Sequence, residues 1–448
     1  MNTGKLSIRT KAGFGICDLG GNLFFTAMGF WSLNYITDTV GLSAAAAGIA
    51  IMTGKLWDAV IDPFIGFASD RTKSRFGRRR VFILFGSVPV GLIMWYFFTN
   101  PRIENPFLLA IWTAVTLCLL NSAYSTVNIP YSSLTPEITQ DYNERTSLNS
   151  FRFGFAVVGT ILGAAIVLPI VTAFPSRSAG FSAAGLTMGA VMIVTALTTF
   201  FSVKEPKHSQ SEIPGEGFFA TYLSVFRNRA FVILFVTYAG NLIAINFVQG
   251  ILVYYFKYIY LAENMTTIAM VILLLVAMLC IPLSVPVSKK LGKRTTYQIG
   301  LGLIALACVA IYFFAHILGL KFFFGTMLFA GIGLGFSFVA PWSMVPDTVE
   351  WDAVNTGNRK EGAYYGMWTF LSKCGQALAI GLSGLILSWN GYVADAVQSP
   401  AAILAIRLLI GPIPAIVFIF AVILLSFYPI TEKAYNEMMQ KRASPSTP

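Results

Sequence analysis

Apolar residues in this chain come in blocks of about twenty, separated by short polar breaks and without strict alternation inside the blocks. A block of that length crosses a hydrocarbon core of about 30 Å as an α-helix. Strands of a membrane barrel would instead show alternating segments of about ten residues. The pattern predicts twelve spans, at about residues 13–36, 44–69, 80–99, 107–134, 150–173, 181–203, 230–258, 266–288, 296–317, 322–346, 362–389 and 401–428. The expected fold class is an all-α membrane protein of twelve transmembrane helices.

The longest polar break contains KEPKHSQSEIPGEG and divides six spans from six. It sets the expected organisation: a six-helix half at 1–203, a cytoplasmic linker at 204–229, a second six-helix half at 230–430 and a cytoplasmic tail at 431–448. The halves echo each other weakly. SDRTKSRFGRRR (69–80) follows the second span, and SKKLGKR (288–294) follows the eighth. Parallel six-helix repeats are an architecture of secondary transporters.

Composition sharpens this picture. Of the residues, 56% are apolar and 11% charged, against about 25% charged in a soluble domain. The net charge of +11 would suggest nucleic acid if it were clustered on one face. Instead, most Lys and Arg residues fall in the N-terminus, the even-numbered connections and the tail, while the odd-numbered connections hold Arg102, Arg177 and Lys321. By the positive-inside rule both termini face the cytoplasm. The basic excess therefore reports topology in a lipid bilayer, and no nucleic-acid partner is expected. The location expected is the cell membrane, the inner membrane in a bacterium, without a cleavable signal peptide.

Little suggests an enzyme or a cofactor. The cysteines at 17, 118, 280, 308 and 374 lie inside spans without metal-ligand spacing, and His208 and His316 cannot form a metal site alone. Gly331, Gly333 and Gly335 resemble a nucleotide fingerprint only superficially, because no strand precedes them; close helix packing explains them better. No nucleophile elbow, phosphate-binding loop or paired His motif is present.

The chemistry lies in the few ionisable residues at bilayer depth: Asp18, Lys55, Asp58, Asp62, Arg152 and Lys373. Taken singly they would cost on the order of 15–20 kcal/mol, so most must pair or line an aqueous cavity. Asp58 and Asp62, in KLWDAVIDP (55–63), share a helical face at i, i+4, with Lys55 on the same stripe. This spacing builds a sodium or proton site, completed by hydroxyl or carbonyl oxygens such as Ser125, or else a structural salt bridge to Lys55. Pro63 loosens the backbone beside it. In YSTVNIPYSSLTPEIT (124–139), Asn128 is surrounded by hydroxyls at 125, 126, 132 and 133, a set that suits either a polyol or packing between helices. Asp18 is a candidate acceptor for sugar hydroxyls or a partner for Arg152. Lys373 is a donor in the second half, Trp368 a stacking platform or a packing residue, and Asp347, Glu350 and Asp352 are salt-bridge partners for basic loops.

GFASDRTKSRFGRRR (66–80) resembles the loop signature of the major facilitator superfamily, with Gly66 for close helix approach and Asp70, Arg71 and Arg78 as gate charges. WDAVIDP (57–63), NIPYSSL (128–134) and EGAYYG (361–366) with its downstream lysine together resemble the glycoside–pentoside–hexuronide:cation symporter family, which is melibiose permease-like. The resemblance spans nearly the whole chain. It implies a major facilitator fold in two six-helix halves and symport of a small glycoside, pentoside or hexuronide with sodium or protons, by a protein functional as a monomer. It places the cation at Asp58 and Asp62, with Ser125 the candidate further ligand, and the substrate at Asp18, Asn128, Ser132, Arg152, Phe338 and Lys373, with Trp368 a further candidate. The first half would thus hold the cation site and most of the substrate site. Asn128, Ser132 and Phe338 stand where melibiose permease carries an aspartate and two tryptophans, Ile61 where it carries an asparagine, and Lys55 where it carries an arginine. The same branch includes sodium-dependent lysolipid symporters, which supplies a second reading; a membrane receptor that does not transport is a third.

Overall fold

The computed structural model describes residues 6–139, 142–203, 225–356, 361–430 and 434–435. Most of the expected linker and nearly all of the expected tail lie outside the described residues, as does the side chain of Asp70.

The first half begins with α1 (Ile8–Gly15) and α2 (Cys17–Asn34), followed by a π-helical turn, Tyr35–Thr39. Then come α3 (Ala44–Arg71), α4 (Arg80–Phe97), α5 (Pro106–Ile138), α6 (Tyr142–Ala165), α7 (Val167–Thr172) and α8 (Arg177–Ser202). Short polar residues start several of these helices. The hydroxyls of Ser7, Ser43 and Ser176 accept from the backbone N–H groups of Thr10, Ala46 and Ala179. Asn105 caps α5 with Pro106 at its first position, where a missing N–H costs nothing. Pro63 sits inside α3, which continues through it.

Ten helices among the described residues are long and apolar enough to cross a membrane. The stretch Lys293–Val354 counts once among them, where two spans are expected. It is broken at Gly319, whose φ of 76° is a left-handed conformation closed to most side chains. The first expected span is not among the ten: the chain there divides at Ile16 between α1 and α2 and ends in the π-helical turn.

The chain forms two compact units. Unit 1 is Met1–Gln210 with Leu252–Val271 and Ile380–Ala405; unit 2 is Ser211–Ile251 with Ile272–Ala379 and Ile406–Pro448. Two close approaches position the charged residues of unit 1. Gly159 and Gly163 of α6 lie against Leu19 and Leu23 of α2, and a Cβ on Gly163 would stand 2.5 Å from the Leu23 carbonyl oxygen. Such small-xxx-small spacing lets backbones meet without side chains between them. On α3, a Cβ at Gly54 would stand 2.8 Å from Cβ of Leu117 on α5. At Gly66 the nearest atom, of Ile129, would be 3.7 Å away, an ordinary contact. The tight point of this helix pair is therefore Gly54. Gly54→Val is expected to lower the thermal unfolding midpoint in detergent through an overpacking cost of about 1–3 kcal/mol. Gly66→Ala should leave it unchanged within error.

Unit 2 has an aromatic core that includes Phe231, Tyr297, Tyr364, Trp368 and Phe418. Gly333 packs against Gly300 and Ile304, and Gly331 and Gly335 against Val276, Ala277 and Cys280. These glycines are helix-packing positions, as the sequence suggests.

Candidate functional site

Two helices, α3 and α5, present matching four-residue steps. Gly54, Asp58, Asp62 and Gly66 form one stripe, and Leu117, Asn121, Ser125 and Ile129 the facing one. Asn121 donates to the Gly54 carbonyl at 3.2 Å, and on a neighbouring face the Trp57 indole donates to Ser122 at 2.8 Å. Ser125 Oγ lies 2.9 Å from Asp58 Oδ1 and 2.6 Å from Asp62 Oδ1. Asp58 is 1% exposed and Ser125 is equally buried at 1%; Asp62 is half-buried. The Lys55 ammonium stands 5.2 Å from the centroid of the Phe25 ring. The expected cation residues Asp58, Asp62 and Ser125 thus converge on one hydroxyl. Among the described residues, no three His, Cys, Asp or Glu side chains cluster as a metal site. A hard cation here would be held by two carboxylates and completed by hydroxyl or carbonyl oxygens.

About two to three turns further along α5 lies a second polar group. Arg152 of α6 bonds Asp18 of α2 in a fork, Nε to Oδ2 at 2.7 Å and Nη2 to Oδ1 at 3.3 Å. Tyr131 donates its phenol to Asp18 Oδ2 at 2.6 Å, and Arg152 Nη1 donates to Thr135 at 2.7 Å. The guanidinium also lies over the Tyr131 ring, 4.8 Å from its centroid. Asp18 and Arg152 keep side-chain exposures of 16% and 20%, enough for a ligand to reach them. Tyr131 and Thr135 are absent from the residues expected at this site. Their signal was the i, i+4 spacing within NIPYSSLT, one position away from Ser132.

The other expected substrate residues divide. Asn128 is half-buried beside a narrow cavity that Cys17, Gly21 and Tyr124 also line, whereas Ser132 is exposed. Phe338, Trp368 and Lys373 belong to unit 2. Phe338 is 53% exposed and Lys373 half-buried. Trp368 corrects the expectation of a stacking platform: it is 0% exposed and lies parallel to Tyr238 at a centroid distance of 4.3 Å. Its faces are occupied by the core, so it packs.

The gate signature resolves into braces inside each unit. Arg78 and Arg79 reach Glu137 at 2.6 and 2.7 Å, tying the start of α4 to the end of α5. In unit 2, Lys293 reaches Asp347 at 2.6 Å. This is the corresponding pair of elements in the second half, so the two basic loops share a role as well as a position. Arg71 lies over the Phe67 ring at 3.9 Å.

A single family description, MFS/sugar transport protein, matches residues 13–432. The chain belongs to that family. The resemblance read from WDAVIDP, NIPYSSL and EGAYYG is thereby borne out. Among relatives of this MFS chain, an uncharacterized symporter of Synechocystis is 29% identical, covering 98% of this chain and 97% of the relative. A putative sulfoquinovose importer of Escherichia coli is 30% identical over 98% of this chain and 94% of its own length. A glucuronide carrier protein homolog of the same organism is 28% identical, covering 97% and 95%. In fold, a bacterial homolog of the lysosomal transporter Spinster superposes with a TM-score of 0.68 at 14% identity, covering 98% of each chain. The protein is a multi-pass helical membrane protein of the MFS class, and its relatives are named as symporters, carriers and importers rather than enzymes.

Proposed function

We propose that this MFS protein is a twelve-helix symporter that couples uptake of a small glycoside, pentoside or hexuronide to sodium or protons, with both termini in the cytoplasm. The Ser125 hydroxyl carries the coupling part of the reading. It has one hydrogen, yet its oxygen is within hydrogen-bond distance of both Asp58 and Asp62. Serine can donate to one carboxylate at a time. The second short contact suits a proton on a carboxyl group or a cation shared among the three oxygens. Either occupant also relieves the repulsion of two carboxylates on one buried face. Asp18 and Arg152, held against α5 at Tyr131 and Thr135, offer an acceptor and a donor to sugar hydroxyls. The relatives named for glucuronide and sulfoquinovose support a sugar as the substrate class.

Binding of the cation would favour the sugar-competent state, and sugar would tighten the cation by the same factor. Proteoliposomes loaded with a pentoside, hexoside and uronide panel test this. The expected result is accumulation of one sugar class under an inward sodium gradient or an inward proton gradient, and collapse of that accumulation by the matching ionophore. Gradient-independent equilibration of every sugar would overturn coupling, and no entry of any of them would overturn the sugar assignment.

A further inference from the structure

A third polar cluster in unit 1 lies away from both of these groups, at the residues that follow α2. Asp38 sits in the π-helical turn with its side chain 0% exposed. Asn34 donates to its Oδ2 at 3.1 Å, and Thr37 and Tyr392 to its Oδ1 at 2.7 and 2.6 Å. Tyr258 donates to Oδ2 at 3.3 Å, and the Lys257 ammonium pairs with the same oxygen. A carboxylate has about four lone-pair sites, so this one is saturated. Lys257 also reaches Asp395. On the other side, Asn34 accepts from Arg177 at 2.7 Å, and Arg177 forks onto Glu263 at 2.6 and 3.0 Å. The phenol of Tyr392, in the connection after residue 389, is pushed far up by burial, then by Tyr254 and Asp38, so it stays a donor.

One continuous polar chain therefore runs Glu263, Arg177, Asn34, Asp38, Lys257, Asp395. Its members lie in the first, fifth-to-sixth, seventh-to-eighth and eleventh-to-twelfth span connections or, for Asn34 and Lys257, at the helix ends that enter them, all odd-numbered. Where α3 meets residues 380–384 in the same unit, the contact is made by bare backbone: a Cβ on Gly48 would stand 2.9 Å from the Gly381 carbonyl oxygen. Together with this close backbone approach, the polar chain and the ring contact of Tyr254 with Tyr392 fasten the helix ends.

We propose that Asp38 is the hub of a latch that fastens these helix ends together, and that the ends part when Asp38 exchanges Lys257 and Tyr392 for water. The inference rests on the symporter reading above, in which both termini are cytoplasmic, so the odd-numbered connections face outward and must open to admit sugar. A buried ion pair suits such a latch, because its Coulombic gain is largely offset by desolvation. Separated and hydrated, the same charges have nearly the same free energy, which is what a two-position contact requires. An apolar plug would lack that balance and hold one position. The π-helical turn fits as well, since such turns recur where a helix has a functional irregularity.

Spin labels at Phe174→Cys and Leu261→Cys, both exposed, would report the separation of these ends in the full-length protein with its native cysteines replaced. In Asp38→Asn the population of long label distances is expected to rise about tenfold or more without sugar. Lys257→Gln should do the same, and the double variant should exceed the larger single only slightly, because both remove one pair. Tyr392→Phe, which keeps its ring packing, should shift the population less in the same direction. It decides the matter if a charge variant folds poorly. Unchanged distances in all these variants overturn the latch. The readout needs neither sugar nor ion gradient, so a failure of coupled uptake in the wild type would be seen separately from a failure of the latch.

Discussion

Asp58→Asn is expected to abolish gradient-driven accumulation of sugar and to weaken sugar binding by the coupling factor, while leaving downhill exchange in place. The amide keeps the shape of the carboxylate and can still accept from Ser125, so folding should survive. What it loses is the negative charge that a cation or proton needs at this depth. An uncompensated charge in the bilayer core costs roughly 2.5–3.5 kcal/mol, equivalent to about a hundredfold in cation affinity. Asp62→Asn should act in the same direction, and Ser125→Ala more weakly, since it removes a hydroxyl and no charge. The measurement is steady-state accumulation in proteoliposomes beside counterflow without a gradient. Full accumulation by either Asn variant would remove Asp58 and Asp62 from the coupling site.

The second large effect is expected at the fork between Asp18 and Arg152. Asp18→Asn leaves the guanidinium in its place with one charged acceptor gone. A hydrogen bond to a charged group contributes about 1.5–3 kcal/mol, so sugar affinity at saturating cation should fall about ten- to a hundredfold. Arg152→Lys keeps the charge but cannot reproduce bonds from Nε and Nη2 to both carboxylate oxygens, nor the bond from Nη1 to Thr135. It should therefore behave as a loss rather than a conservative change. Tyr131→Phe should weaken binding less, because Asp18 Oδ2 keeps its bond from Arg152 Nε. Isothermal titration with the transported sugar separates these cases. If Asp18→Asn binds sugar with wild-type affinity, the fork is a brace between α2 and α6 and no more.

How much of this could be read from the sequence depended on how local each signal is. The i, i+4 carboxylates of α3 and the hydroxyl of Ser125 were visible because an ionisable side chain in an apolar block is costly and so informative. The pairing of Asp18 with Arg152 was one of two readings left open, since both are buried charges and distance alone decides. Tyr131 and Thr135 escaped notice because they point about 100° and about 60° away from Ser132 around the helix, and nothing in composition says which face turns inward. Trp368 was open to two readings, because an indole reads alike whether it lines a cavity or fills a core, and burial favours packing. Asp38 carried no signal at all. It stands at the end of a span, where a charge is cheap, and its lysine partner is 219 residues away in the chain.

Ser125 serves the carboxylate pair, and Tyr131 and Thr135 serve the fork, yet all three are rungs of the single helix α5. At 1.5 Å per residue, Ser125 and Tyr131 are only about 9 Å apart along its axis. Ion and sugar would then press on one helix, on either side of Pro130. A tilt of α5 by either would move the other's contacts with no relay of side chains between them. For protein engineering, this makes residues 131–135 a place to retune the cargo, provided that the helix itself keeps its seat against α3.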